Sequence, residues 1–231
     1  MSRLAAAACL LFAAFGAGCG SAPAPKPQTN PTPPPKASSA APAAEASQIH
    51  QTPPSLGRYP YSDADVAFMS GMIPHHAQAV IMAGWAPTHG ARRDVAVLCE
   101  RIVVGQRDEI HLMQQWLRDR SLPVPSETDT RMHMKMDGMD HAMLMPGMLT
   151  DEEMAALDRA RGSEFDRLFL EGMIRHHQGA IDMVTTLFNS YGAAQDEVIF
   201  KFANDVYVDQ MTEITRMKEM LAETPNGGSL N

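Results

Sequence analysis

Cysteine is nearly missing from this 231-residue sequence: it has Cys9, Cys19 and Cys99. Cys9 falls inside an apolar leader and Cys19 closes it, so Cys99 alone is left for a folded part. No intrachain disulfide and no cysteine-rich zinc site can be built from that. Apolar runs are short as well. Leu4 to Phe15 is too brief to span a bilayer as a helix and has the length of a signal-peptide core. Positive charge is in deficit, with a formal net charge of −8, which argues against a nucleic-acid partner and mildly favours cations. No stretch shows the β-branched alternation of strands, so no sheet is expected. A nucleophile elbow, a Ser-His-Asp arrangement and a Gly-rich phosphate loop are all lacking, which leaves no catalytic residue to name.

What is present divides the chain into four parts. Residues 1–19 read as a signal peptide, and its end, Gly16-Ala17-Gly18-Cys19, resembles the lipobox of bacterial lipoproteins. Gly16 stands where that motif usually has Leu. Cys19 is then the lipidation site, and the protein is expected outside the cytoplasm, periplasmic or extracytoplasmic and membrane-anchored. Residues 20–60 are rich in Pro, Ala, Ser and Thr. They carry too little apolar surface to offset their ordering entropy and read as a semi-extended tether. Residues 61–224, about 165 of them, suffice for one domain with a real core, and 225–231 form a frayed tail.

Within 61–224 one unit occurs twice. Met72-Ile73-Pro74-His75-His76 returns as Met173-Ile174-Arg175-His176-His177, an offset of 101 residues that also maps Ser62 onto Ser163, Asp65 onto Asp166, Gly71 onto Gly172 and Met82 onto Met183. Ser62-Asp63-Ala64-Asp65 has the form of a helix start. From it Met69, Met72, His76, Ala79 and Ala83 recur at helical steps, with His75 and Met82 on the flank of the same face. Pro74 falls well inside this helix and should kink it. Pro87 to Gly90 reads as a turn. A second helix is expected over 91–120, with Cys99, Ile102, Gln106, Glu109, Met113 and Trp116 or Leu117 inward and His111 outward. Thr150 opens a short helix to Arg161, Ser163 caps a third long helix to Asn189, and a fourth covers 194–223. There Gln210, Glu213 and Met217 match Gln106, Glu109 and Met113 at an offset of 104. Repeat one is thus 61–120, the connection 121–162 and repeat two 163–224. The expected fold is all-α: a four-helix bundle of two repeated hairpins with a long crossover, ferritin-like in its connectivity.

The connection is itself unusual. Met132, His133, Met134, Met136, Met139, His141, Met143 and Met145 crowd one segment, which reads as a flexible tract. On the helices the candidate metal ligands are Met72, His75, His76, Met82, Glu109 and Met113, with Met173, His176, His177, Met183, Glu213 and Met217 as their repeat. A methionine stripe alone is ordinary core packing. Two His pairs and two carboxylates in register make a poor core unless they share a partner, because each unpaired buried group costs about 1–3 kcal/mol. Di-iron bundles use Glu-x-x-His, whereas Leu112 and Arg216 follow Glu109 and Glu213 at that spacing. Thioether with imidazole suits Cu(I), with Ag(I) as a mimic. Neutral imidazole is the ligand, so affinity is expected to fall below the usual pKa of about 6.5. The rival readings are a metal-dependent oxidase on the same helices and a helical lipoprotein that binds a protein partner, its histidines merely structural.

The segments Phe68 to Ala83 and Phe169 to Val184 resemble the signature of the domain of unknown function 305 family, Met-x-x-Met-Ile-x-His-His-x-x-Ala-x-x-Met. Gln106-x-x-Glu109-x-x-x-Met113 and Gln210-x-x-Glu213-x-x-x-Met217 are similar to it too, so the likeness runs over about 61–221. One departure is Leu170 in place of the first copy's Met69. The resemblance implies a ferritin-like fold, export and, in some members, copper binding.

Overall fold

The computed structural model describes residues 49–50 and 60–223. The leader, Cys19, nearly all of the 20–60 tether and the 225–231 tail lie outside the described residues. Among the described residues no helix is long and apolar enough to cross a membrane.

Ser62 opens the first helix as its sequence suggests. Its hydroxyl accepts the Asp65 N–H while the Asp65 carboxylate accepts the Ser62 N–H, a reciprocal capping box. Helix α1 then runs Asp63–Gly84 and continues through Pro74. Proline removes one ladder hydrogen bond, but every residue from Phe68 to Ala79 is buried, so neighbours enclose this helix on all sides. A short helix α2, Ala86–His89, replaces the expected plain turn. Pro87 lies in its first turn, where a missing N–H costs nothing, and Gly90 ends it at φ 71°. Helix α3, Arg93–Arg118, returns along α1.

Two short ladders, one before α1 and one in the connection, depart from the expected all-α fold. Strand β1, Ile49–His50, pairs with β2, Tyr61–Ser62, and β3, Met132–Met136, pairs with β4, Met139–Met143, both antiparallel. The methionine tract is therefore a hairpin and not a loose chain. Its turn residues Asp137 and Gly138 both have positive φ, 53° and 79°, the type I′ geometry that Asp-Gly favours. Helix α4, Asp151–Arg159, begins with a second capping box between Thr150 and Glu153.

The second pair consists of α5, Ser163–Asn189, and α6, Glu197–Glu223. Helix α1 packs on α3, α5 on α6, and the two histidine-bearing helices α1 and α5 on each other. Ser163 does not cap α5; Gly162 holds that position. Its would-be partner Asp166 has another task. It accepts the Arg92 N–H at 3.2 and 3.3 Å, in the link between α2 and α3. Asp65 likewise accepts the Ala194 N–H at 2.7 Å, in the link between α5 and α6. The acid at the start of each repeat thus ties down the other repeat's turn.

Candidate metal centre

The apolar core comes in two parts. One gathers Phe68, Met72, Ile110, Met113, Met183 and Phe202; the other gathers Met82, Ile102, Phe165, Phe169, Met173 and Met217. Between them, at mid-height of all four long helices, lie His75, His76 and Gln78 of α1, Gln106 and Glu109 of α3, His176 and His177 of α5, and Gln210 and Glu213 of α6. The repeat relation makes this layer symmetric. Each flank contributes three of the six predicted thioethers: Met72, Met113 and Met183 on one side, Met82, Met173 and Met217 on the other. Met82 reaches across to Gly172 on α5, and Met183 reaches back to Gly71 on α1.

The four imidazoles are buried, none more than 1% exposed. His75 and His176 face each other with ring centroids 3.8 Å apart. Glu109 accepts from His76 Nε2 at 2.7 Å, and Glu213 accepts from His177 Nε2 at the same distance. His75 Nε2 donates to the Pro146 carbonyl at 3.1 Å. These acceptors set the tautomers: a carbonyl or a carboxylate takes a proton, so the N–H of each ring is at Nε2. Nδ1 of His75, His76 and His177 then carries a bare lone pair, and each is buried without a hydrogen-bond partner. Both nitrogens of His176, one of which carries the ring's N–H, and the Oε1 atoms of Gln106 and Gln210 are also buried without a partner. The unpartnered acceptors of the layer outnumber its one unpartnered donor, the His176 N–H, and that surplus attracts a cation.

Charge within the layer is suppressed. Burial, with His76 nearby, lowers the His75 pKa to about 3 against the pull of the Pro146 carbonyl. Burial and then the His75 ring push His176 well below the ordinary value. Burial also lowers His177, opposed by Glu213. These rings are neutral at pH 7, the form that binds metal. Glu109 and Glu213 stand behind their rings, 24% and 22% exposed, and line a polar groove of about 230 Å³ between α3 and α6. Among the described residues, no three His, Cys, Asp or Glu side chains gather as a metal site built from those ligands would need. Any ion held here depends on the thioethers, which favours a soft one.

The predicted residues of the connection sit apart from this layer. The hairpin register sets Met132 opposite Met143, Met134 opposite His141 and Met136 opposite Met139. Successive strand residues alternate faces, so Met132, Met134, Met139, His141 and Met143 occupy one face of the ribbon and His133 lies on the other. His133 is held between Asp129 and Asp140, each 3.0 Å away, and Asp140 foremost raises its pKa. Met134, His141, Met139 and Met143 are exposed, Met139 at 62%. Met145 is half-buried against the core.

Sequence reasoning missed the contact that joins the two regions. Gln78 donates to the Leu149 carbonyl at 2.9 Å and accepts the Leu149 N–H at 2.8 Å. Gly179, its equivalent in the second repeat, has no side chain, and the Pro146 carbonyl occupies the space a Cβ would need. The crossover therefore lies across both histidine helices at the same position of the repeat. The signal was the mismatch itself, Gln78 against Gly179 in otherwise matching segments.

A family model described as Domain of unknown function (DUF305) matches residues 65–221. A crystal structure of a DUF305 protein from Streptomyces coelicolor, described as secreted, is 28% identical with a TM-score of 0.60 over 73% of this chain and 98% of that one. CopM in its Cu(I)-bound form is 27% identical with a TM-score of 0.53 over 70% of this chain and 98% of CopM. CopM has also been solved in Cu(II)-bound, Ag-bound and apo forms. The uncharacterized protein L153 of Acanthamoeba polyphaga mimivirus is 33% identical over 58 residues, which span 25% of this chain and 38% of that protein.

Proposed function

The chain belongs to the DUF305 family, and we propose that it is an exported copper-binding protein that holds the metal as Cu(I), for storage, buffering or resistance. The observation that carries this reading is the set of anchored imidazoles: three rings fixed through Nε2, each with a buried, partnerless Nδ1. Metal-ligating histidines characteristically give their other N–H to a carboxylate or a backbone carbonyl. CopM, a copper-bound relative in the same fold, supports the choice of metal. The four long helices are read as a ferritin-like four-helix bundle, whose interior is a usual place for such a site.

In this reading His75, His76 and His177 offer Nδ1 and His176 a ring nitrogen facing His75, no three of them to one ion, so that thioethers complete each site. Met72, Met113 and Met183 on one flank, and Met82, Met173 and Met217 on the other, supply the soft ligands. Glu109 and Glu213 fix ring orientation from behind and make Nδ1 more basic. The hairpin residues Met132, His133, Met134, Met136, Met139, His141 and Met143, with Met145 beyond them, form a second and looser population. Bound Cu(I) accepts few, soft ligands and needs no proton displaced from rings already neutral.

The test is a competition titration with a Cu(I) chelator. Replacing His75, His76, His176 and His177 together by Ala is expected to remove the tight class, while deleting residues 132–143 lowers capacity and leaves that class intact. A four-histidine variant that folds and keeps the wild-type tight sites would refute the reading.

Export follows from the leader, and Cys19 is proposed as the lipid anchor with 20–60 as the tether that holds the domain off the membrane. Cys19→Ala should shift the protein from the membrane fraction to the soluble one, or leave the precursor uncut. A wild-type protein found soluble, with its N-terminus well downstream of residue 19, would sink the anchor.

A further inference from the structure

The buried imidazoles need a way in for their ion; one concavity is lined by residues of the polar layer, and another borders it through Pro146, whose carbonyl holds His75. The α3–α6 groove is lined by Arg101, Gln106, Glu109, Asp209, Gln210 and Glu213, a surface suited to water and protons. A second cleft, of about 260 Å³ along α1 and α5, is lined by Ala64, Phe68, Met145, Pro146, Met183 and Leu187 among others, none of them charged. Two thioethers converge in it. A Cβ built on Gly71 would lie 2.7 Å from Met145 Cε, 3.5 Å from Met145 Sδ and 3.5 Å from Met183 Cε. Methionines from the crossover and from α5 thus meet over bare α1 backbone.

Resting on the copper reading above, we propose that Met145 and Met183 form a soft-cation site in this cleft, a station that takes Cu(I) or Ag(I) from the exposed hairpin and passes it to the buried histidines. On its outer side, Met145 follows two residues after Met143, the end of the methionine face of the hairpin. On its inner side, the next residue, Pro146, carries the carbonyl that holds His75. Thioethers and imidazoles therefore follow one another from solvent to core. Each transfer exchanges one neutral ligand for another. The oxidation state of the ion is unchanged, and no proton moves, because His75 Nδ1 already lacks one. Hydrated hard cations are turned away, since the cleft offers no carboxylate to replace their water.

The experiment is stopped-flow transfer of Cu(I) from a coloured chelator complex to the full-length apoprotein, with the equilibrium number of tight sites counted separately. Ala64→Phe plugs the cleft without touching a proposed ligand. It should slow loading of the tight sites at least tenfold and leave their number unchanged. Met145→Leu keeps the shape, removes the crossover's sulfur, leaves the tight-site ligands in place and should slow loading similarly. Gly105→Phe fills the α3–α6 groove from a position with open space around it and should leave the rate alone. Unchanged loading in the cleft variants, or slowing by Gly105→Phe in their place, overturns the station while the tight sites stand. A wild-type protein with no tight sites overturns the copper reading and the station with it.

Discussion

Gly179→Ala is expected to destabilise the protein by about 3 kcal/mol or more and to loosen the crossover from α5. The added methyl would overlap the Pro146 carbonyl oxygen and crowd the Gly147 nitrogen, 2.8 Å from the new Cβ. Both are backbone atoms of a segment with little freedom to retreat. The same Pro146 carbonyl holds His75, and Gln78 holds Leu149 by two hydrogen bonds. Gly147, at φ 77°, has no room for a side chain either, since a Cβ there would meet the Arg175 carbonyl and the Gly179 backbone of α5. Gly71→Ala is the control. Its methyl crowds only the flexible end of Met145, with Met183 Cε at ordinary contact distance, and Met145 can swing aside for under about 1 kcal/mol. Urea unfolding at pH 7 compares the two variants. If Gly179→Ala lies as close to the wild type as Gly71→Ala, the crossover is not held as the geometry describes.

The legible and the hidden parts of this protein differ in how far apart in the chain their partners lie. Ser62 with Asp65 and Thr150 with Glu153 are local, and their capping boxes form as read. The inward faces of α1 and α3 follow from helical spacing, and His111 faces outward as expected. The offsets of 101 and 104 residues anticipated two matching hairpins; the pairing of His76 with Glu109 and of His177 with Glu213, at equal distances, was not read from them. The hairpin went unread because methionine has none of the β-branching that marks strands, although Asp137-Gly138 between alternating methionines was a usable turn signal. Ser163 misled because an acid three residues on can serve a distant N–H as well as its own helix start. Tautomers were beyond reach altogether. Nδ1 is bare only because a carbonyl 71 residues away, or a carboxylate on another helix, takes the proton at Nε2.

Acid is expected to unfold the apoprotein by way of its histidines, and the sign follows from the two end states. In the unfolded chain these rings titrate near 6.5; in the folded one His75 titrates at about 3, and His176 and His177 are also lowered, burial being the chief cause in all three. Above pH 6.5 neither state is protonated at these rings, and stability is at its full value. As pH falls below 6.5 the unfolded chain takes up protons that the folded rings refuse. Each such ring then removes about 1.4 kcal/mol per pH unit until its folded pKa is reached. Two or three rings acting together soon match the 5–15 kcal/mol typical of a whole domain. The same depression corrects the expectation that Cu(I) affinity falls away below pH 6.5. His75 meets little proton competition until about pH 3, and His176 and His177 meet less than a free imidazole, so tight binding should fall less steeply than that expectation. Urea unfolding of the apoprotein at pH 7, 6 and 5, against the four-histidine Ala variant, tests the first statement, and the chelator competition at the same pH values tests the second. Wild type should lose stability with each step, and the variant should lose far less. Equal losses in the two proteins would show that carboxylates, not the buried imidazoles, govern the acid response.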